Sequence, residues 1–364
     1  MTASPENRKP AFSTESFAVA SLAPIPLLLL GAWAGGPWLW GGFLYMAVLS
    51  FLLDQLIPMV MGDAEEGQEF PGADLLLAGI GISALVLLPV ATWAIAGPSA
   101  LSTGERVLLF LGCGYWLGQV GHPAAHELIH RSARPLFRLG QAFYAAILFG
   151  QHASAHRLVH HRHVATDLDP NSAREGEGFY RFALRAWPGS FIAGYRAETA
   201  LRARATTAQG PHPYAVYLTG YAVALAVAAL VAGPWGMLAW AGLGLHAQMQ
   251  ILVSDYVQHY GLRRAILPDG RVEPVGPRHS WNTIHWFSSA MMLNAPRHSD
   301  HHAHPSRPYP ALRLPAEEEA PRLPWPLPVA CAIAFVPRVW KRAIRRHLRR
   351  WQPRADVTGP VTRA

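Results

Sequence analysis

Cysteine and lysine are scarce in this chain of 364 residues, and their scarcity narrows the possible chemistry. Only two cysteines occur, Cys113 and Cys331, each alone in an apolar stretch and outside any CxxC pattern. They support neither a disulfide framework nor a thiolate metal site. Lys9 and Lys341 are the only lysines, so the net charge of +8 rests almost entirely on arginine.

Charged residues are also few, at 15% of the chain, whereas soluble domains carry about 25%. Apolar runs are long enough to cross a bilayer, which takes about 20 residues. Together these features predict an all-α integral membrane protein. In such proteins excess positive charge marks the cytoplasmic side more often than nucleic-acid binding, so no nucleic-acid partner is expected.

Six apolar segments are predicted to span the membrane. Their bounds are 16–34, 38–60, 74–97, 105–126, 214–233 and 235–256. Short Gly/Pro-rich turns at 35–37 and 233–235 would join neighbouring spans as antiparallel pairs. Residues 127–213 carry eleven arginines, and the positive-inside rule places this segment, the part after 256 and both termini in the cytoplasm.

The expected organisation is one catalytic domain with two flanking pieces. A cytoplasmic tail covers 1–15, the catalytic domain 16–315, and an interfacial segment with a basic tail 316–364. The apolar stretches 136–151 and 325–338 are too short to cross and are expected to lie at the membrane interface. The basic run KRAIRRHLRRWQPR is predicted either to contact anionic lipid headgroups or to be solvated.

Histidine is the abundant reactive residue, with 18 copies. Nine of them form four clusters at the predicted cytoplasmic ends of spans 4 and 6. The clusters are His126 and His130; His156, His160 and His161; His259; and His298, His301 and His302. Imidazole binds iron, zinc and copper, and nine rings exceed what one tetrahedral site can use. The count therefore predicts two metal ions.

Spacing within the clusters suggests which rings act together. His126 and His130 are four residues apart, so on a helix they share a face and can share a metal. His156 and His160 repeat that spacing. His160 and the adjacent His161 point about 100° apart, so they are predicted to serve different metals.

Several acids lie near the clusters, where a carboxylate can accept a hydrogen bond from the second nitrogen of a ligand ring. These acids are Glu127, Asp167, Asp169, Asp255 and Asp300. Asp300, inside the sequence RHSDHH, has the best position for that role.

Other histidines receive lesser roles. His122 and His152 lie one turn before a cluster and are expected to assist as hydrogen-bond donors. His246, inside the sixth span, is expected to line a substrate cavity or a water pocket, and His279 to be exposed to solvent.

The sequence HELIH also matches the HExxH signature of zinc metalloproteases, in which Glu127 would act as general base. Such a site needs two histidines and one further ligand. It would leave the histidines of the second and last clusters unexplained, so a zinc protease stays the lesser alternative.

The four motifs together resemble those of membrane-bound alkane hydroxylases, within the membrane fatty-acid desaturase and hydroxylase superfamily. HELIHR is similar to the first family box, HExxHK/R, and AHRLVHH to the second, EHxxGHH. RHSDHHAHPSRPYPAL is similar to the third box, and DYVQHYGL resembles the NYxEHYG signature that separates alkane hydroxylases from desaturases. The resemblance covers roughly residues 40–315.

This resemblance implies a six-span enzyme of a bacterial-type inner membrane, with a helical cap on the cytoplasmic side. By motif position the nine histidines would hold two irons that activate O₂. The implied reaction is hydroxylation, at a terminal position, of an apolar substrate from the bilayer such as a medium- or long-chain alkane or alkyl group. The implied electron donor is rubredoxin or a ferredoxin with an NAD(P)H-dependent reductase.

Two surfaces follow from that interpretation. Arg131, Arg157, Arg162 and Arg297 would offer a basic face to an acidic electron carrier. A channel from the bilayer is expected between the spans, with Phe43, Met46, Phe51 and Leu52 as its lining.

The chain departs from the family pattern around the histidines. Ala155 and Val159 replace the glutamate and glycine of the second box, and Asp255 and Gln258 replace the asparagine and glutamate of the HYG signature. No histidine is missing, so activity is expected. The residues predicted to surround the ligands are Glu127, Asp255, Gln258 and Asp300.

Because the residues around the histidines differ from the family pattern, the resemblance does not define the substrate. The candidates are an alkane, a fatty acyl chain, a terpene and an aromatic methyl group. A membrane fatty-acyl desaturase with similar iron chemistry is the main alternative enzyme.

Overall fold

Helices build the described part of the chain. A computed structural model describes residues 11–207 and 210–351. Within those ranges there is no β-strand, only two isolated bridges, Ile266–Val272 and Asn282–Arg322. The all-α class is therefore confirmed for this part of the chain. Residues 1–10 of the predicted N-terminal tail and 352–364 of the predicted basic tail lie outside the described residues.

The α-helices are numbered here in chain order. They are α1 (Thr14–Leu22), α2 (Pro24–Ala34), α3 (Gly36–Leu44), α4 (Ser50–Leu56), α5 (Ala73–Ala96), α6 (Thr103–Trp116), α7 (His122–Ile129), α8 (Arg134–Ala146), α9 (His152–Ala155), α10 (His161–His163), α11 (Phe179–Ala203), α12 (Pro213–His259), α13 (Trp286–Met291), α14 (His298–Ala303), α15 (Leu327–Ala334) and α16 (Pro337–Leu348). Three π-helical turns connect some of them, at Tyr45–Leu49, Leu117–Gly121 and His156–His160.

Four helical segments are long and apolar enough to cross a membrane. They are Thr14–Ala34, Gly36–Leu56, Ala73–Ala96 and Pro213–His259. The last contains 47 residues. At 1.5 Å per residue it would measure about 70 Å if straight, more than twice the ~30 Å hydrocarbon core. These segments make the chain a membrane protein.

A glycine breaks this longest segment. Gly233 has φ 61° and ψ −154°, in the region that favours glycine, and it divides α12 into two arms. Gly35 has nearly the same conformation, with φ 61° and ψ −147°, and it joins α2 to α3. Both glycines lie in the predicted Gly/Pro turns. The predicted span 38–60 ends early, at Leu56, because Pro58 disfavours helical backbone at Ile57.

Polar side chains at the beginning of α6 form hydrogen bonds with backbone groups of neighbouring helix ends. Ser102 and Glu105 form a capping box there, and Glu105 also accepts the backbone N–H of Gly36 at 2.9 Å. Arg106 donates to backbone carbonyls of the loop after α5, including that of Ile95 at 2.6 Å. These bonds connect the beginning of α6 to the beginning of α3, to the end of α5 and to the loop after it.

The helices that carry the histidine clusters meet at the opposite end of α6. α7 packs against α8 and α5, α9 packs against α11, and α15 packs against α12. The last helix, α16, buries Trp340, Ile344 and Leu348. Its position makes the C-terminal segment part of the same helical body.

Candidate metal centre

The structure brings the nine predicted histidines together in two groups. The first group contains His126, His130, His156, His161 and His301. The second contains His160, His259, His298 and His302. Within each group, the nearest ring nitrogens lie within 4.8 Å of one another. Each group combines rings from segments that are far apart in the sequence, so the fold itself assembles both.

A π-helical turn decides how the middle cluster divides. In His156–His160 the backbone N–H of His161 bonds to the carbonyl of His156, five residues back. This wider turn places His156 and His161 in the first group and His160 in the second. His156 and His160, which α-helical spacing would place together, therefore lie in different groups. His160 and the adjacent His161 also lie in different groups, as their divergence on a helix predicts.

The ring nitrogens of each group converge. Nε2 of His156 lies 2.7 Å from Nε2 of His126 and 2.8 Å from that of His161. In the second group, Nε2 of His298 lies 3.0 Å from that of His259 and 3.1 Å from that of His302. Basic nitrogens that face one another in this way form a donor set for a cation.

Six ring nitrogens in these groups are buried without any hydrogen bond among the described residues. Four are Nδ1 atoms, and the other two are Nε2 of His130 in the first group and Nε2 of His160 in the second. Buried polar atoms are normally paired, so each of these nitrogens calls for a partner. A metal ion in each group would supply it for the two Nε2 atoms, and the residues present therefore fit two metal ions.

Burial keeps most of these rings uncharged. Burial, reinforced by the neighbouring histidines, lowers the pKa of His156, His161, His298, His301 and His302 well below the usual histidine value. Neutral imidazole is the form that binds metals. These five rings are therefore ready to bind near neutral pH without losing a proton.

Asp169 orients the ring of His160. Its Oδ2 lies 2.8 Å from Nδ1 of His160 and accepts the hydroxyl of Ser172 at 2.7 Å. Burial on its own lowers the pKa of His160, but the Asp169 carboxylate outweighs it and raises that pKa overall. With Nδ1 held by Asp169, Nε2 faces the second group. The sequence places Asp169 near the cluster, but a loop separates the two residues and no helical spacing singles it out.

Asp255 and Gln258 lie on the last turns of α12, beside the second group. Oδ2 of Asp255 accepts the amide N–H of Asn171 at 2.7 Å, and the backbone N–H of Asn171 donates to Asp169 at 3.0 Å. Asp255 is thus linked to His160 through two residues. Gln258 accepts the hydroxyl of Ser254 at 2.9 Å and donates to a backbone carbonyl, so it contacts no ring of the nine by hydrogen bond.

Glu127 and Asp300 stabilise the loops that follow the clusters. Glu127 accepts the backbone N–H of Tyr309 at 3.1 Å. Asp300 pairs with the side chains of His304 at 2.9 Å and Arg307 at 2.5 Å. Neither carboxylate accepts a hydrogen bond from a ring of the nine among the described residues. Both tie the segment 304–309 to the helices that carry the histidines.

Arg297 and Arg131 are wrongly predicted as parts of an exposed basic face. Arg297 is only 4% exposed, and it donates to Asp63 at 2.7 Å and to the backbone carbonyl of Leu312 at 2.6 Å. Arg131 pairs with Asp74 at 2.8 Å. Arg157 is exposed and lies over the ring of Phe137. Two of the four arginines predicted to form the basic face are therefore paired with other groups of the same chain.

Arg297→Lys should destabilise the loop that leads into α14. Arg297 also donates to the carbonyls of Met61 and Gly62, each at 3.0 Å, and a lysine cannot reproduce this fork of hydrogen bonds. Losing one or two buried bonds should cost about 1–3 kcal/mol. The measurement is thermal unfolding in detergent, with Arg313→Lys as the control because Arg313 is exposed. Equal melting temperatures for both variants would contradict this role.

A small cavity of about 30 Å³ lies beside both groups. His122, His152, Met292 and Leu293 are among its lining residues. A water molecule needs roughly 10–15 Å³, so the cavity has room for a small molecule such as O₂ but not for a hydrocarbon chain. None of Phe43, Met46, Phe51 and Leu52 lines it.

One further histidine differs from expectation. His279 is buried rather than exposed, and its backbone carbonyl lies 3.2 Å from Nδ1 of His259. It thereby orients a ring of the second group from a distant part of the chain. His246 is not among the residues that line the cavity, and its ring packs against those of Phe110 and Tyr115 between α6 and α12.

Ala155, where the family box has glutamate, is a tight packing site. A side chain added at Gly194 of α11 would lie 3.1 Å from the Ala155 methyl group. The adjacent Ser154 donates to Glu198 of α11 at 2.6 Å. A small residue at 155 thus permits close approach of α11, which brings its own carboxylate to this end of the molecule.

The part of the chain that matches known proteins contains the histidine segments described above. The family model described as fatty acid desaturase matches residues 106–330, which include all nine histidines. The chain belongs to the fatty acid desaturase family.

Three relatives are similar to large parts of this chain. The chain is 33% identical over 261 residues to an alkane 1-monooxygenase of Ectopseudomonas oleovorans, covering 70% of this chain and 60% of that protein. It is 34% identical over 243 residues to alkane 1-monooxygenase 1 of Alcanivorax borkumensis, covering 65% and 59%. It is 27% identical to the xylene/toluene monooxygenase hydroxylase component of Pseudomonas putida, covering 91% and 88%. The chain spans about three fifths of the length of the alkane 1-monooxygenases named here.

Proposed function

We propose that this protein is an O₂-dependent monooxygenase in which the nine histidines hold two iron ions. The observation that carries the proposal is the division of the nine rings into a group of five and a group of four. When bound, the iron pair would supply the activation of O₂ needed to attack an unactivated C–H bond. Similarity to two kinds of monooxygenase, one acting on alkanes and one on xylene or toluene, supports the oxygenase class.

The protein's own groups would bind, orient and exclude water. The nine rings bind the metals, and Asp169 and the His279 carbonyl fix the orientation of His160 and His259. Met292, Leu293 and Leu312 give the cavity an apolar side where a substrate carbon would approach. The small cavity keeps bulk water away from the reacting atoms.

The proposed topology has six spans. The two arms of α12 count as two spans, and the continuous helical stretch from α6 through α7 adds one to the remaining three. In a bacterial-type inner membrane, the histidine end and both termini would face the cytoplasm, as the arginine-rich segments favour. Residues 16–315 would form the catalytic domain.

The proposed substrate is an apolar molecule that enters from the bilayer. A terminal alkane carbon is the first candidate because most of the named relatives are alkane 1-monooxygenases. An aromatic methyl group is the second, because the xylene/toluene monooxygenase component matches this chain over 350 residues. Electrons would come from rubredoxin or a ferredoxin with its NAD(P)H-dependent reductase.

The environment of Glu127 disfavours the zinc-protease alternative. Its carboxylate accepts the Tyr309 backbone N–H at 3.1 Å and lies 3.5 Å from Arg131. It is therefore engaged in holding a loop. Five histidines in one group also exceed what a zinc protease uses.

A product and metal analysis tests the proposal. Iron-loaded protein is supplied with ¹⁸O₂, a reductant chain, and either octane or p-xylene. The expected result is about two irons per chain and an alcohol that carries one ¹⁸O atom. An alkene without added oxygen would identify a desaturase, and one zinc per chain with no oxygenated product would indicate a hydrolase.

A further inference from the structure

The last helix, α16, has a basic face that the fold leaves open. Its buried residues Trp340, Ile344 and Leu348 follow each other at intervals of four and form one apolar stripe. The opposite stripe consists of arginines, all exposed, at positions Arg338, Arg342, Arg345 and Arg349. Among the described residues, none of these four side chains takes part in an ion pair.

This basic helix lies next to the second histidine group. The ring of Trp340 is 5.6 Å from the ring of Tyr260, which directly follows His259 in the chain. A side chain added at Gly261 would meet Leu348 at 2.5 Å, so α16 is in direct contact with the end of α12. Two aromatic rings thus separate the arginine stripe from a candidate metal ligand.

The geometry favours a protein over the membrane as the partner of this face. A helix that binds a bilayer inserts its apolar side, but the apolar stripe of α16 is already buried in the protein. The exposed apolar residues nearby, Phe335, Val336 and Val339, lie at the beginning of the helix. Arg349 is ten residues farther along, which is about 15 Å on a helix.

We propose that the arginine stripe of α16 is the docking surface for a small acidic electron-transfer protein. This inference rests on the proposed function, because an oxygenase needs electrons from outside the chain. Opposite charges would steer the carrier to the stripe, and docking there would bring its redox centre close to Trp340, Tyr260 and His259. Arg297 and Arg131 are not needed for this role.

Charge reversal tests the docking surface. The test variant is Arg342→Glu/Arg345→Glu/Arg349→Glu, and the control is Arg134→Glu/Arg138→Glu/Arg196→Glu, which changes the same charge on exposed residues of α8 and α11. Binding of a bacterial rubredoxin is measured on iron-free and iron-loaded protein in phosphatidylcholine nanodiscs. The test variant should bind at least about tenfold more weakly at low salt, with the difference shrinking at high salt. The control should stay within about twofold.

Lys341 allows the carrier to be located directly. Carbodiimide couples carboxylates to amines, and Lys341 and Lys9 are the only lysines of the chain. The half-buried Lys341 lies on α16, so docked rubredoxin should cross-link to it, and Lys341→Arg should remove that cross-link while keeping the charge. Cross-links confined to Lys9 or the N-terminal amine would overturn the proposal.

Other outcomes separate the two proposals. Unchanged rubredoxin binding by the α16 variant, or an equal loss in the control, would refute the docking surface. A variant that binds rubredoxin normally and loses only an affinity for phosphatidylglycerol would show a lipid contact instead. Normal docking without any oxygenated product would refute the proposed function and leave the docking surface intact.

Discussion

Hydroxylation should be lost, by more than about 100-fold, when His301 is replaced by alanine. His301 belongs to the first group, where its Nε2 lies 3.1 Å from that of His161. Its ring is also 4.4 Å from the ring of His126, so it faces the centre of the group. Removing even a hydrogen-bond partner of a metal ligand costs about 10–100-fold, and removal of a ligand should cost more.

Iron content separates this effect from a general loss of structure. We expect His301→Ala to retain about one iron of two, because the second group keeps all of its rings. His160→Ala should weaken the other metal in the same manner. The control is His163→Ala, on the same helical segment as His160 but outside both groups. Full activity of His301→Ala with two irons would remove His301 from the metal centre.

The helical architecture and the choice of histidines were accessible from the sequence because both depend on local pattern. Apolar runs of about 20 residues indicate spans, and the turns at Gly35 and Gly233 are announced by neighbouring glycine and proline. Clustering of histidines at short intervals likewise needs no tertiary information. The structure then places all nine in two groups.

How the nine rings divide between the two groups was harder to predict from the sequence. α-Helical periodicity pairs His156 with His160, but one π-helical turn shifts His161 into that place. Such a turn inserts one residue into the helical repeat, and no residue type in HRLVH signals it. Tertiary packing of His156 against His126 and His301 accompanies the shift.

Residues that support the rings from loops were also difficult to foresee. His279 and Asp169 accept hydrogen bonds from rings of the second group, yet His279 lies in a three-residue 3-10 turn and Asp169 in a loop. Arg297 has the sequence context of a surface charge, and only the packing of the 61–63 loop makes it a buried donor. Contacts across more than 200 residues leave no local signature.

Asp169→Asn is expected to lower hydroxylation and iron affinity by about 10–100-fold, with an effect centred on the second group. The asparagine side chain has nearly the same volume, so the packing near Ser172 is kept, but its amide can donate to Nδ1 of His160 where the carboxylate accepts. Donation to Nδ1 would place the ring proton on Nε2, which is the nitrogen that faces the second group.

Spectroscopy can show this effect without turnover. Mössbauer spectra of iron-loaded Asp169→Asn should have one of two iron signals altered or diminished, since only His160 depends on this carboxylate. Asp169→Glu should restore part of the loss because it keeps the charge. Asp167→Asn is the matched control, two residues away with a side chain that is 76% exposed. If Asp167→Asn and Asp169→Asn lose the same activity, or if both iron signals change equally, Asp169 does not act through the ring of His160.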